Sequence, residues 1–470
     1  MTKDEIHELV IIGAGPGGYR AAFMAADLGL KVTLIDPEKN PGGVCLYRGC
    51  IPTKALLYLT SVIKDAEEAA DMGIKFATPE IDVKKAAAWK DKVVKRLTGG
   101  LGQLVKARKI NYLRGRGKFL DEKTIEVKLE DGDTEKISFN NAIIATGASA
   151  YKLPGVNYDS PLIMNSEEAL EFKDIPEKLL IVGGGYIGIE MAIIFHEFGS
   201  SVSIAELAPS FLSELDADLV AEHKKSGRQI YEDVFLETSV EGVEKKGKNL
   251  EVTFKDKDGK QFKKQYNKIL VAIGEGPNTK NLGLENLAID VDEKGFIKVN
   301  ERMQTSVKNI YAIGDVTGPP LLAHKASYEG RVAAEAITGK KTANDPRAIP
   351  AAIYTEPGIA TCGLTEQTAK EKGIQYKVVK FPWAASGRAI AMNERHGFTK
   401  LLIDPETERI LGAGIVGKNA GDLIAELVVA IEMGATAEDV ALSIHPHPTL
   451  SETIMEAAEL FYGHAAHKKS

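Results

Sequence analysis

The sequence predicts an α/β fold in which one unit of strand, glycine turn, helix and strand occurs twice and an α+β domain follows. Three observations carry that expectation. First, Leu9-Val10-Ile11-Ile12 runs into Gly13-Ala14-Gly15-Pro16-Gly17-Gly18, then an Ala-rich helical stretch to Leu28 and a strand from Lys31 to Ile35 that ends at Asp36. Second, the pattern returns as Leu179-Leu180-Ile181-Val182, Gly183-Gly184-Gly185-Tyr186-Ile187-Gly188, a helix to Phe198 and a strand from Ser201 to Ala205 that ends at Glu206. Both copies place the acid 23 residues after the first glycine. Third, the C-terminal part changes to strands separated by turns, Ile353 to Cys362, Tyr376 to Pro382, Phe398 to Ile403 and Arg409 to Val416. Helices from Gly421 to Met433 and from Ser451 to Phe461 complete it.

Each copy closes with a further apolar strand, Ala142-Ile143-Ile144-Ala145-Thr146-Gly147 in the first and Ile269-Leu270-Val271-Ala272-Ile273-Gly274 in the second. Glycine turn and closing glycine lie 134 residues apart in the first copy and 91 in the second, so the first carries an insertion. That insertion includes Cys45 to Lys54 and a Lys/Ala-rich helical run from Ser61 to Lys109. Asn309 to Asp315 then reads as a strand ending in Gly314-Asp315, with a helix from Leu321 to Thr338 and a linker from Lys340 to Arg347. The expected divisions are residues 1–150 and 151–276 for the two repeated domains, 277–346 for a central segment completing the first site, and 347–470 for the C-terminal domain. The tail from His464 to Ser470 is polar and is expected to be loose.

The glycines explain what the repeat is for. The first of each set (Gly13, Gly183) permits a tight strand-to-helix turn, the second (Gly15, Gly185) lets backbone approach a pyrophosphate, and the third (Gly18, Gly188) lets helix pack on strand. The phosphates then sit at a helix N-terminus. One such turn is weak evidence; two in register, each with an acid closing the next strand, predict two Rossmann-like dinucleotide-binding domains. A carboxylate at Asp36 or Glu206 accepts ribose hydroxyls and repels an additional phosphate. With no Arg from Ser200 to Leu212, Glu206 favours NAD(H) over NADP(H).

Composition removes other classes. At 470 residues and 44% apolar, the chain is long enough for two to four domains. The net charge of -7 is dispersed, with no basic stripe for nucleic acid. No run approaches the roughly 20 apolar residues of a membrane span. The first ten residues carry three acids and no Arg, which suits neither a signal nor a transit peptide and points to the cytoplasm. Three cysteines, Cys45, Cys50 and Cys362, are too few for a disulfide framework.

Cys45-Leu46-Tyr47-Arg48-Gly49-Cys50 does not have the spacing of a zinc knuckle, and no second pair completes one, so no metal is expected. Five residues of ideal helix advance about 7.5 Å, beyond disulfide reach, so pairing these thiols requires a distorted segment. Gly42, Gly43 and Gly49 supply that freedom. Taken alone, two reduced thiols packing as small apolar residues is the plainer account. The company of a glycine turn upstream and Ile51-Pro52-Thr53-Lys54 downstream favours redox work.

The stretch from Gly42 to Lys54 resembles the redox signature of the pyridine nucleotide-disulphide oxidoreductases, which include dihydrolipoamide dehydrogenases and glutathione, trypanothione and mercuric reductases. Thr146-Gly147, Ile313-Gly314-Asp315 and a C-terminal His-Pro segment match in the same order. The resemblance implies FAD in the first domain and NAD in the second. It places Gly117, Thr146, Gly147, Gly274 and Gly314 among the cofactor-binding positions and Asp315 at the flavin's ribityl chain. Backbone around Ala323-His324-Lys325 approaches the ring, and Lys54, near the flavin's reactive nitrogen, pairs with Glu190. Cys45 is then the interchange thiol and Cys50 the thiol against the flavin, each needing a depressed pKa.

In Ser443-Ile444-His445-Pro446-His447-Pro448-Thr449-Leu450-Ser451-Glu452, a dithiol substrate needs a base near neutrality, and the resemblance selects His447 held by Glu452, with His445 a bystander. Thr449 to Glu452 also reads as a capping box, and both readings are compatible. In relatives this segment comes from the partner subunit, which implies a homodimer. The absence of a C-terminal Cys pair, Glu206 in place of Arg, and Ala385-Ser386-Gly387-Arg388-Ala389 resemble the dihydrolipoamide branch. That branch implies lipoyl domains and an acyltransferase core, or the H protein of glycine cleavage, as partners. A glutathione-reductase-like enzyme, an NADH:acceptor reductase and a non-catalytic docking protein are the alternatives. Three departures stand out: Glu275-Gly276 where relatives commonly show basic residues, Asp36 for the more usual Glu, and a helix after Leu215 that reads as short around Lys224 to Gly227.

Overall fold

A computed structural model describes residues 6–225 and 230–469. The chain forms two compact units, one of Met1–Ile175 with Leu270–Asp345 and one of Pro176–Ile269 with Pro346–Ser470. Among the described residues no helix is long and apolar enough to cross a membrane.

In the first unit the strand Ile6–Ile12 lies between Val32–Asp36 and Thr134–Ile144, parallel to both, and Ile310–Ala312 extends the parallel set beyond Thr134–Ile144. Leu9 to Ile12 and all of Val32–Asp36 are buried, as strands covered on both faces require. Asn111–Asp121 changes its pairing along its length within one six-stranded sheet. Its first residues pair parallel with Thr33 to Asp36, and from Gly115 onward it turns antiparallel against Thr124–Leu129. The helices Pro16–Asp27 and Ala323–Ile337 pack closely, because a Cβ on Gly330 would sit 2.5 Å from the Gly17 carbonyl oxygen.

The expected helical run from Ser61 to Lys109 is two helices, Cys50–Glu68 and Val83–Ala107. Between them Ala69–Met72 is a 3₁₀ turn, ended by Gly73 at φ +90°. The chain stays irregular past Pro79 until Asp82 caps the next helix, its carboxylate accepting from Lys85 N–H at 3.0 Å.

In the second unit Tyr231–Phe235, Ser201–Ala205 and Lys178–Val182 form a parallel sheet that Lys268–Val271 continues. A meander of Thr238–Lys246, Asn249–Asp256 and Gln261–Tyr266 precedes that last strand. The helix after Leu215 is Ala217–Lys225; the remainder of the short-helix reading, residues 226–229, lies outside the described residues. The C-terminal portion is a five-stranded antiparallel sheet backed by Ala420–Met433 and Glu452–Tyr462. Phe381, Trp383, Leu401, Ile415, Leu427 and Ile454 are in its core. Here the expected strand from Ile353 to Cys362 is two, Ala351–Ile353 and Ile359–Gly363, paired antiparallel across a turn at Pro357-Gly358.

Two findings in this unit lay beyond sequence patterning. Lys400 is fully buried, its ammonium within 2.8 Å of Asp216, 3.1 Å of Asp218 and 2.6 Å of Glu366, so a lysine occupies the centre of the carboxylates. The described part of the tail also bonds back to the unit. His467 bonds Glu456 through its ring and its N–H, and Lys468 Nζ donates to the Lys380 carbonyl at 2.6 Å. A buried acid one helical turn beyond Glu452 holds the chain there.

Candidate active site

The two glycine turns repeat down to their hydrogen bonds. Gly13 N–H donates to the Ile35 carbonyl and Gly183 N–H to the Ala205 carbonyl, each at 2.8 Å. Asp36 accepts from Ala14 N–H at 2.7 Å and from Glu38 N–H at 2.9 Å. Glu206 accepts from Gly184 N–H at 2.5 Å and from Ala208 N–H at 2.7 Å. Each carboxylate is thereby aimed by backbone and keeps further lone pairs for a donor such as a ribose hydroxyl. Burial pushes the Asp36 carboxyl up, against the pull of those two N–H groups.

The turns also fit a pyrophosphate. Gly13 stands at φ +100°, and a Cβ there would collide with the Ala145 carbonyl. Gly15 and Gly185 are the N-caps, no side chain caps either helix start, and a Cβ at Gly185 would meet nothing within 4 Å. N–H groups of a helix N-terminus that no side chain caps are what a phosphate needs.

Other expected positions in the first unit cluster by backbone bonds. Thr146 Oγ1 donates to the Asn278 carbonyl (2.8 Å), the Asn278 amide donates to the Thr146 carbonyl (3.0 Å), and Asn278 N–H reaches the Gly147 carbonyl (2.9 Å). Gly274 and Gly314 both have positive φ. Gly314 N–H is held by buried Glu329 at 2.7 Å, and Glu329 in turn pairs with Lys325 at 2.9 Å. Burial raises the adjoining Asp315 carboxyl, with Lys325 opposing and Glu329 adding to the shift. Ala323 opens its helix with no side-chain cap. Gly117 lies in the buried part of its strand against Ile12. Lys54 lies one turn along the helix that Cys50 begins, and Glu190, buried, accepts from Tyr354 N–H at 3.0 Å.

The thiols occupy a broken helix. Gly43–Arg48 ends at Gly49, whose φ of −138° and ψ of −112° are not helical, and Cys50–Glu68 starts again at once. The break brings the Cys45 and Cys50 sulfurs into hydrogen-bonding contact, both reduced. Gly43 has φ +58°, and a Cβ on it would be 2.5 Å from Gly15 Cα, while Gly42 N–H donates to the Ala14 carbonyl at 2.8 Å. The thiol segment is therefore seated directly on the first glycine turn. Against expectation the Cys45 thiol is raised in this reduced pair. The Cys50 sulfur bonded to it is the largest cause, followed by burial, and Lys54 opposes them.

At the other expected pair, His447 Nδ1 bonds Glu452 Oε1 at 2.8 Å, and Glu452 Oε2 accepts from Thr449 N–H at 2.7 Å. Half of the capping box is therefore present in the same carboxylate that holds the imidazole. Burial pushes the Glu452 carboxyl up, but the Thr449 N–H and His447 outweigh it and hold it below the ordinary range.

Sequence reasoning missed the acids of this neighbourhood or their role. Arg48, between the cysteines, pairs with Glu38 and, at 3.0 Å, with Glu167. Glu275, noticed only as a departure, has its carboxyl pushed up to about 7 by burial, then by Asp315 and Glu167. An unfolded chain releases that proton near the ordinary glutamate value of 4.5. Between the two values the native state binds more protons, so stability falls as pH rises through that window and is lowest above it. Glu275→Gln is expected to melt above the parent at pH 8 and level with it at pH 4.5. An equal offset at both pH values in thermal unfolding would rule the effect out.

Residues 7–330 match the pyridine nucleotide-disulphide oxidoreductase family, and residues 349–458 match its dimerisation domain. A dihydrolipoyl dehydrogenase of Vibrio cholerae is 47% identical over 463 residues, covering 98% of this chain and 97% of the relative. One from Geobacillus stearothermophilus is 44% identical over 461 residues, with 98% and 97% covered. Among solved structures, LpdA of Mycobacterium tuberculosis matches with a TM-score of 0.90 at 26% identity, over 97% of this chain and 100% of that one. The HOCl-induced flavoprotein disulfide reductase RclA of Escherichia coli matches at 0.85 and 28% identity, over 97% and 100%.

Proposed function

The chain belongs to the pyridine nucleotide-disulphide oxidoreductase family, and we propose from that premise that Cys45, Cys50, His447 and Glu452 are the residues that carry its reaction. It is a dihydrolipoyl dehydrogenase by activity, using FAD and NAD⁺ to oxidise dihydrolipoyl groups. The observation that carries the residue assignment is the Cys45–Cys50 contact across the Gly49 break, seated on the first glycine turn.

Glu452 fixes the Nδ1 side of His447, which leaves Nε2 as the atom that takes a proton from the incoming dithiol. The resulting substrate thiolate attacks Cys45 Sγ of the oxidised pair. The Cys45–Cys50 bond breaks, a mixed disulfide forms on Cys45, and Cys50 leaves as a thiolate. The second substrate thiol then attacks its own partner sulfur, which closes the lipoyl disulfide and leaves both protein sulfurs reduced. FAD, when bound, would supply the acceptor for that electron pair and NAD⁺ the final hydride acceptor. Asp36, the Gly13 turn, Asp315 and the Gly314 backbone would hold FAD. Glu206 and the Gly183 turn would hold NAD⁺.

The dimerisation domain makes the working unit a homodimer. Its partners are lipoyl domains on the acyltransferase core of a 2-oxoacid dehydrogenase complex, or the H protein of glycine cleavage, in the cytoplasm. The test is dihydrolipoamide oxidation followed at 340 nm with NAD⁺ and NADP⁺ in parallel. A colourless protein, or one indifferent to dihydrolipoamide, would sink the reading. In the same assay Glu206→Ala is expected to lose on the order of tenfold or more in kcat/KM for NAD⁺ and little for NADP⁺, because charge-assisted bonds to two hydroxyls disappear. An unchanged ratio between the cofactors would remove the assignment of Glu206.

A further inference from the structure

Two histidines flank Pro446, and only the second bonds the carboxylate that the sequence marks. The first has a carboxylate of its own. His445 Nε2 lies 2.8 Å from Glu426 Oε1, and its Nδ1 lies 2.8 Å from the Ser443 carbonyl oxygen. Both partners are acceptors, and the carboxylate is the stronger of the two for a ring N–H. Resting on the reading of His447 as the base, we infer that His445, held by Glu426, is a positioning residue that sets where the His447 imidazole stands.

The surroundings give this contact its weight. From Leu442 to Pro448 the chain is exposed at every position except His445, with Leu442 at 75% and Ile444 at 99%. The His445 side chain is 7% exposed and that of His447 is 76%. Within a single chain, apolar packing therefore does nothing to locate this run. Downstream it is fastened to the helix Glu452–Tyr462 through Glu452, which takes both the His447 ring and the Thr449 N–H, and Thr449 Oγ1 ties back to the Pro446 carbonyl at 2.8 Å. Upstream the fastening is His445 to Glu426, on the helix Ala420–Met433, which buried Ile424, Leu427 and Ile431 fix in the core. Ser443, whose carbonyl takes the other ring nitrogen, is itself bonded to Asp439 at the end of Ala437–Leu442. The imidazole thus hangs from a short turn tied at both ends to packed helices, with one proline between the two ties. Release of the upstream tie leaves the Glu452 bond intact but lets the turn pivot about it.

A misplacement of about 1 Å at a reacting group costs up to about a hundredfold. His445→Ala and Glu426→Ala are each expected to lower kcat for dihydrolipoamide by about tenfold to a hundredfold, with KM within about twofold. The double variant is expected to fall no further than either single one, since both remove the same tie. His445→Gln, whose amide still donates to Glu426, is expected to recover most of the loss. FAD content and melting midpoint should stay at the parent's values. Turnover of His445→Ala within about twofold of the parent, additive losses in the double variant, or losses that track departing flavin would each overturn the inference. His447→Ala run alongside separates the two levels: if it turns over like the parent, the functional reading fails, and if it alone collapses, only the positioning role fails.

Discussion

Cys50→Ser is expected to retain FAD and lose dihydrolipoamide oxidation by on the order of a thousandfold or more. The reaction stores two electrons as the difference between a Cys45–Cys50 disulfide and two reduced sulfurs, and a serine oxygen cannot form that bond. Cys45 alone is a free thiol and offers the substrate thiolate no disulfide to attack, so the two electrons are never taken up and turnover does not begin. Replacement of sulfur by oxygen at the first residue of Cys50–Glu68 adds no bulk, and Thr53 Oγ1 still bonds the Gly49 carbonyl at 2.7 Å, so the break at Gly49 and its seat on the glycine turn should survive. Flavin absorbance and steady-state rate are the paired measurements. A yellow protein that turns over near the parent's rate would refute the relay; a colourless one would show that Cys50 is needed to build the site rather than to run it.

What could be read in the sequence was local. The strand Ser201–Ala205 and the two glycine turns with Asp36 and Glu206 arise within short windows, where backbone geometry and spacing suffice, while the pairing of His447 with Glu452 is what the family resemblance implied. The need for a distorted segment between the cysteines also followed from helix rise alone, and Gly49 supplies it. Long-range pairings escaped. Arg48 meets Glu167 and His445 meets Glu426 only after the chain folds, and a single sequence without partners in view makes each look like a surface charge. The break after Glu68, the turn at Pro357 and the anchoring of His467 by Glu456 have the same origin, because each is decided by what the segment packs against. The raised Cys45 thiol belongs here too: a motif says that thiolate chemistry is wanted, but the neighbours set the proton affinity of each redox state.

His447→Ala is expected to lower dihydrolipoamide oxidation by about a hundredfold to ten-thousandfold, the usual span for a general base. The size is less diagnostic than the pH dependence. With the imidazole present, its Nε2 takes the substrate proton at neutral pH and Glu452 balances the charge that appears on the ring. Without it, attack must await spontaneous ionisation of the substrate thiol, so the variant's rate should climb about tenfold per pH unit until that thiol's own pKa is passed. Parent and variant should therefore converge in alkali. Glu452→Gln tests the other half: it can still accept through its amide oxygen but no longer balances the ring's charge, so its loss should be smaller and should not converge in the same way. A His447→Ala variant with the parent's pH profile at any fixed fraction of its rate would show that the imidazole shapes the site without moving the proton. Convergence at high pH, with FAD still bound, can only come from a missing base.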